Sequence, residues 1–303
     1  KTPGIVFALA MAVRAFTEPG DAVLIQQPVY YPFSEVISDN GRKIVSSDLY
    51  AGEDNRYHID FEDFEKKTAD EKTTLFILCN PHNPCGRVWE KWELEKAMEL
   101  FRKYDVYVIS DEIWSDIILG TNHHTPTQSV SDDARNRVCA FYAPSKTFNL
   151  AGLIGSYHIC YNSWWRDRLE KESSLCHYNS MNVLSMHALI GAYKPEGYVW
   201  TDELRQTLTG NIDFAVDYIE KHFPGISVSK PQGTYMLFVD CTDWCAAHGK
   251  TIDDVEQACW DVGVAIQDGR MFHGSCHIRM NLALPLSRVQ EAFRRMDQYV
   301  FNA

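Results

Sequence analysis

The strongest constraint in this sequence is an alternation. Six compact apolar runs, Ala22 to Ile25, Lys43 to Leu49, Thr73 to Cys79, Val106 to Ser110, Val138 to Tyr142 and Ser156 to Tyr161, are separated in several places by helix-length stretches. The clearest such stretch spaces Leu94, Ala97, Met98 and Phe101 at i, i+3, i+4 and i+7, the pattern of one buried helix face. Short apolar strands alternating with helices predict an α/β fold. It is a three-layer large domain whose mainly parallel sheet is covered on both faces.

The pattern changes near Pro195-Glu196-Gly197. A long helical stretch, Tyr198 to His222, is followed by short strands at Thr234 to Val239, Val264 to Gln267 and His277 to Leu282. A closing helix then buries Leu286, Val289, Phe293, Met296 and Val300. This predicts a smaller α+β domain over 198–303, after a large domain over 1–197. The length of 303 residues accommodates both. The first helix, Ile5 to Thr17, opens directly after Pro3-Gly4. The chain starts on Lys1 and already reads as the inside of a domain, so an N-terminal arm is expected to precede it.

Charge and composition narrow the function. Lys plus Arg is 29 against 41 for Asp plus Glu, a net charge of −12, with no basic stripe. Such a chain is a poor holder of nucleic acid and a better binder of small molecules. The nine cysteines sit mostly in apolar runs such as Leu78-Cys79 and Ile159-Cys160 and read as small buried hydrophobes. Cys241 and Cys245 lack a second pair at zinc spacing, and His123-His124 reads as a solvated loop, so no metal site is expected. No apolar run is long enough to span a membrane. No secretory signal is visible, and a cytoplasmic location is expected.

In open α/β sheets, ligands collect at the loops beyond the carboxyl ends of the strands. Three such loops carry unusual polar residues: Asn80-Pro81-His82-Asn83-Pro84-Cys85-Gly86, Asp111-Glu112-Ile113 and Ala143-Pro144-Ser145-Lys146-Thr147-Phe148-Asn149. Alone, an Asn-Pro is a turn, an Asp after a strand caps a helix, and a Lys is solvated. Their combination, order and spacing point to chemistry.

With these motifs the sequence resembles the fold-type I pyridoxal-phosphate enzymes of the aminotransferase class I/II superfamily, from Pro3-Gly4-Ile5-Val6 to Arg279. The resemblance implies pyridoxal 5'-phosphate as cofactor. Lys146 would be its covalent anchor and the catalytic base, with Ser145 beside it. Asp111 would hold the pyridine nitrogen, Asn83 the phenolic oxygen, and Tyr30, in Pro28-Val29-Tyr30, would stack on the ring. Arg279, in Arg279-Met280-Asn281, would bind the substrate carboxylate. The backbone N–H groups of Ile5 and Val6, at a helix start, suit the phosphate. The chemistry agrees with these roles. A lysine in a partly dry, cationic site loses basicity and can abstract protons. A carboxylate keeps a pyridine nitrogen protonated. A guanidinium matches a carboxylate in two-pronged geometry.

Departures from the aminotransferase pattern choose the branch. Eight residues after the lysine, where aminotransferases commonly carry an Arg that grips the phosphate, stands Ile154. Three after the aspartate, Trp114 replaces the usual Tyr, and Ala143 stands where a Ser is common. With these losses, and with Thr2-Pro3-Gly4, Asn80 to Pro84 and Ser145 to Asn149, the sequence is similar to the carbon–sulfur β-lyase branch, the MalY/PatB type of cystathionine β-lyase. The resemblance implies cleavage of cystathionine or another S-substituted L-cysteine to a thiol, pyruvate and ammonia. Lys146 takes the Cα proton and the thiolate leaves from Cβ. A homodimer is implied as well, because this family builds its site at a subunit interface. The alternatives are an aminotransferase of the same class and an effector-sensing aminotransferase-like domain of a transcription regulator.

Overall fold

The computed structural model describes residues 1–70 and 72–302. Its centre is a six-stranded sheet built from β1 (Ala22–Ile25), β2 (Lys43–Ser46), β5 (Thr73–Cys79), β6 (Tyr107–Asp111), β7 (Val138–Tyr142) and β8 (Tyr157–Ile159), in the order β2-β1-β5-β6-β7-β8. All neighbours are parallel except β7 and β8. The antiparallel edge follows from the connection. The chain between β7 and β8 makes only a short helical turn at Ala151–Leu153, so it returns from the edge it left. A hairpin of β3 (Leu49–Ala51) and β4 (Tyr57–Ile59) stands apart from this sheet.

Helices cover both faces. On one side α1 (Ile5–Phe16), α2 (Pro32–Asp39) and α6 (Ser163–Ser174) pack with Leu9, Val13, Phe33 and Trp165 against Val23, Ile77 and Ile109. On the other, α3 (Phe61–Thr68), α4 (Lys91–Lys103) and α5 (Asp132–Arg137) bring Phe64, Met98 and Phe101 onto Phe76 and Val108. Local chemistry sets the helix starts. Asp60 accepts the N–H groups of Glu62 and Asp63, and Glu90 and Glu93 form a reciprocal capping box on α4. The face of α4 marked by Leu94, Ala97, Met98 and Phe101 is buried as the spacing predicts.

After α7 (Val183–Ala192) and the long α8 (Pro195–His222), a second sheet forms from β9 (Ser227–Val228), β10 (Met236–Asp240), β11 (Gln267–Asp268) and β12 (His277–Asn281). Its order is β11-β12-β10-β9, antiparallel throughout. With α9 (Thr242–His248), α10 (Ile252–Asp261) and α11 (Leu286–Met296) it encloses a separate core around Ile212, Leu237, Val255, Ile278 and Phe293. The junction expected at 197/198 falls inside α8, and we propose that α8 itself links the two domains.

Several expectations need correction. The run Lys43 to Leu49 is two strands, because Ser47 donates to Asp63 (2.9 Å) and the chain turns out of the sheet before Leu49. The expected strand Val264 to Gln267 shrinks to Gln267–Asp268, since only these residues find ladder partners on β12. Leu286, expected inside, is exposed because it opens α11; Val300 is buried in a wider turn that follows that helix. Cys79, Cys85, Cys241, Cys245 and Cys259 are buried thiols. Cys139 and Cys160, read as two more, are instead joined in a disulfide, because they face each other where β8 returns beside β7. Among the described residues no helix is long and apolar enough to cross a membrane, and no cluster of three His, Cys, Asp or Glu side chains could hold a metal.

Candidate active site

The register of the large sheet assembles the site. Cys79 on β5 pairs with Asp111 on β6, and Asp111 pairs with Phe141 on β7. The loops carrying Asn83 and Lys146 therefore leave the same edge on either side of Asp111. All nine candidate residues, Ile5, Val6, Tyr30, Asn83, Asp111, Trp114, Ser145, Lys146 and Arg279, line one cavity of about 320 Å³.

Asp111 is buried, and among the described residues its carboxylate accepts only the Ile113 N–H (3.2 Å). Burial raises its pKa to about 7; the Ile113 N–H and Lys146 pull the other way, and neighbouring Glu112 adds to the rise. Lys146 is its counterpart. Burial lowers the pKa of its ammonium, Arg279 lowers it further, and Asp111 opposes both. Its Nζ lies 5.5 Å from the centre of the buried Trp114 ring, which is set edge-on to Tyr235.

Arg279 enters from β12. It donates to Asn83 Oδ1 (3.0 Å) and to Gln267 Oε1, and its guanidinium lies 4.2 Å from the ring centre of Phe272. Burial lowers its pKa to about 10, and no carboxylate pairs with it among the described residues. Tyr30 packs on Tyr31 (5.4 Å) and edge-on to Phe33 (6.0 Å). Burial raises its hydroxyl to about 12.

The opening of α1 completes the wall. Gly4 precedes it at φ +94°, no side chain caps the helix, and a Cβ on Gly4 would meet Ile154 Cγ2 at 3.1 Å. The first-turn N–H groups of Ile5 and Val6 thus remain open to an anion at the positive end of the helix. Ile154 itself lines the cavity in a left-handed conformation, φ +46°, which a β-branched residue rarely adopts.

Sequence reasoning misses Tyr31, Gln267 and Phe272, which shape the pocket through Tyr30 and Arg279. Gln267 sits on a two-residue strand, opposite Arg279 in the ladder. Phe272 lies in a short turn whose carbonyl accepts the Val29 N–H (3.1 Å). Gln267 ends the expected strand Val264 to Gln267 but carries no motif, and Phe272 carries neither a motif nor a period.

These residues fit pyridoxal 5'-phosphate. Asp111 is a buried carboxylate with a single N–H partner among the described residues, which a protonated ring nitrogen would complete. An uncapped helix start suits a phosphate, and Lys146 is the amine. Arg279 remains for the carboxylate of an amino acid.

The fold and this site define a class, and the relatives agree. The chain matches the family Aminotransferase class I and II over residues 2–296 and belongs to it. It is 38% identical to cystathionine beta-lyase PatB of Bacillus subtilis, over 97% of this chain and 76% of that protein. It is 31% identical to Protein MalY of Escherichia coli, over 95% and 73% respectively. Among solved structures it superposes on cystalysin from Treponema denticola with a TM-score of 0.92 at 34% identity, covering 98% of this chain and 75% of that one. The PLP-bound C-S lyase from Staphylococcus hominis gives a TM-score of 0.89 at 30% identity, covering 98% and 74%.

Proposed function

We propose that the protein is a pyridoxal-phosphate-dependent carbon–sulfur β-lyase. It takes cystathionine or a related S-substituted L-cysteine and water to a thiol, pyruvate and ammonia. One observation carries the chemistry: an amine of lowered basicity, a buried carboxylate and an arginine without a carboxylate partner meet in one cavity. The choice of lyase over transferase rests on the relatives named as cystathionine beta-lyases and on Ile154 in place of an arginine.

When bound, pyridoxal 5'-phosphate supplies an electron sink conjugated to the substrate's Cα. Asp111 would hold a proton on the ring nitrogen, and Asn83 would donate from its amide to the phenolic oxygen. Tyr30 and Trp114 would wall the ring. The N–H groups of Ile5 and Val6 and the Ser145 hydroxyl would hold the phosphate, and Arg279 would grip the substrate carboxylate. Lys146 would anchor the cofactor and serve as the base for the substrate's Cα proton. Burial and Arg279 lower its pKa, which favours the neutral amine that this role needs.

The same reading makes the protein a cytoplasmic homodimer that acts on an amino acid rather than on nucleic acid or a membrane. The dimer is supported by α7. Val183, Leu184 and Ile190 are 63%, 71% and 61% exposed, and Ser185 is the one buried residue of this apolar helix. A helix apolar all round is ordinarily covered.

Pyruvate release from cystathionine and amino transfer to 2-oxoglutarate, measured side by side on the purified protein, test the reaction. One pyruvate per thiol with negligible transfer is expected. Transfer at a comparable rate overturns the lyase in favour of an aminotransferase.

A further inference from the structure

Behind the cavity a second polar cluster ties the lysine loop to the turn that follows Asp111. Thr147, the residue after Lys146, is fully buried and donates from Oγ1 to Asp116 Oδ2 (2.9 Å). Asp116 belongs to the turn 112–117, which is closed by the Ser115 N–H on Glu112 O (3.0 Å) and the Ile117 N–H on Trp114 O (2.9 Å). The same Oδ2 accepts the Tyr193 hydroxyl (3.2 Å). Tyr193 ends α7 and packs edge-on to Phe148, the second residue after Lys146, at 5.1 Å. Trp200 of α8 also stacks on Phe148, at 5.8 Å.

The lysine loop is otherwise closed mainly on itself, through the Phe148 N–H on Pro144 O (3.0 Å) and the Leu150 N–H on Ser145 O (3.1 Å). Those bonds shape the loop without setting its distance from Asp111. The bond from Thr147 to Asp116 does set it, because one end adjoins Lys146 and the other lies five residues after Asp111. Threonine is well suited to this position. Its branched Cβ leaves few rotamers, so a bonded hydroxyl fixes the backbone that carries the next side chain. Lysine has a long flexible stem, and the accuracy of its Nζ depends on that backbone.

We propose that Asp116 is a positioning residue for Lys146. It acts through Thr147 to hold the amine at its working distance from Asp111, and Tyr193 holds Asp116 in turn. The proposal rests on the assignment of Lys146 as cofactor anchor and base. It adds a dependence of that amine on a carboxylate outside the cavity lining.

The test uses the cofactor-loaded protein and four variants: Thr147→Val, Thr147→Ser, Tyr193→Phe and Asp116→Ala. Two readouts are taken, the pH midpoint of the bound cofactor's visible band and kcat with KM for pyruvate release. Thr147→Val keeps the shape of the side chain and removes the donor. It is expected to move the midpoint by ~0.5 pH unit or more and to lower kcat ~10-fold with KM nearly unchanged, as a displaced catalytic group does. Asp116→Ala should do the same, Tyr193→Phe should act in the same direction with a smaller size, and Thr147→Ser should restore wild-type behaviour. A wild-type midpoint and kcat in Thr147→Val, or in Tyr193→Phe should the buried variants fail to fold, overturns the proposal. Loss of activity in both Thr147→Ser and Thr147→Val with an unmoved midpoint also overturns it, since that is a packing defect. Failure of the underlying assignment is seen separately: borohydride reduction of the wild-type protein would then leave Lys146 unlabelled.

Discussion

Two regions of this molecule differ in how well one chain accounts for them. At the carboxyl edge of the six-stranded sheet, the walls behind Asp111 are closed: Ile77, Ile109, Cys139 and Phe141 are all within 1% of full burial. In the strip from Leu175 to Trp200 the reverse holds. Leu175, Tyr178, Val183, Leu184, Ile190, Tyr198, Val199 and Trp200 are all exposed, Tyr178 to 87%. A sheet edge buried by its own helices is a finished structure, with its polar residues held where a ligand can use them. An apolar strip facing water suits the homodimer proposed above. The difference separates the proposed chemistry from the proposed assembly, and each side can be tested.

The largest effect belongs to the sheet edge. Lys146→Ala removes the amine without touching the core, so pyruvate release should fall by ~10³-fold or more while thermal stability hardly changes. The bound cofactor's yellow band should disappear as well. A variant that keeps a tenth of the wild-type rate would break the assignment of base and anchor together. On the strip, Leu184→Asp places a charge on the exposed apolar face of α7 that supports the proposed homodimer. Sedimentation equilibrium should show the dimer weakened ~100-fold, in line with a buried unpaired charge at an interface. An unchanged assembly would mean that the strip is covered in some other way. The same substitution should leave Asp111 and Lys146 in place, so cofactor binding by the monomer shows how far the two regions are independent.

The same contrast explains what is legible in the sequence. The sheet edge is legible because strand periodicity fixes where β5, β6 and β7 stop, and the residues just past those ends are forced together. Asn83, Asp111 and Lys146 are separated in sequence yet adjacent in the fold for that reason alone. Arg279 is legible only through the family resemblance, since periodicity places β12 but says nothing of which cavity it faces. Phe272 is illegible because a short turn leaves no pattern in the sequence, and Gln267, though it ends the expected strand Val264 to Gln267, carries no motif that marks it for the site. The antiparallel return of β8 is hidden too. It depends on the path of the loop 143–156, and with it goes the pairing of Cys139 with Cys160. On the strip, α7 is not assigned from the sequence at all. Only the structure reveals that the chain itself does not cover it.

At the sheet edge the Asp111 carboxylate accepts a single N–H among the described residues, and it yields the smallest predicted effect. Asp111 has a folded-state pKa of about 7, raised by burial. In an unfolded chain the value is about 3.9. Between these pH values the folded protein keeps a proton that the unfolded chain has lost, so stability falls as pH rises from about 4 to about 7 and levels off above. The cofactor-free protein should display this, moderated by water that reaches the carboxylate. Asp111→Asn, which cannot ionise, should be more stable than wild type by ~1–2 kcal/mol at pH 8 and nearly equal at pH 4. With the cofactor bound the order should reverse, because the protonated ring nitrogen pairs with Asp111 and has no charge to pair with in the variant. Melting curves of both proteins across this range, with and without cofactor, decide the matter. Parallel pH profiles in the cofactor-free state would mean that Asp111 is already satisfied within the chain. The sheet edge would then be complete without the cofactor, and the need for a partner would be confined to the α7 strip.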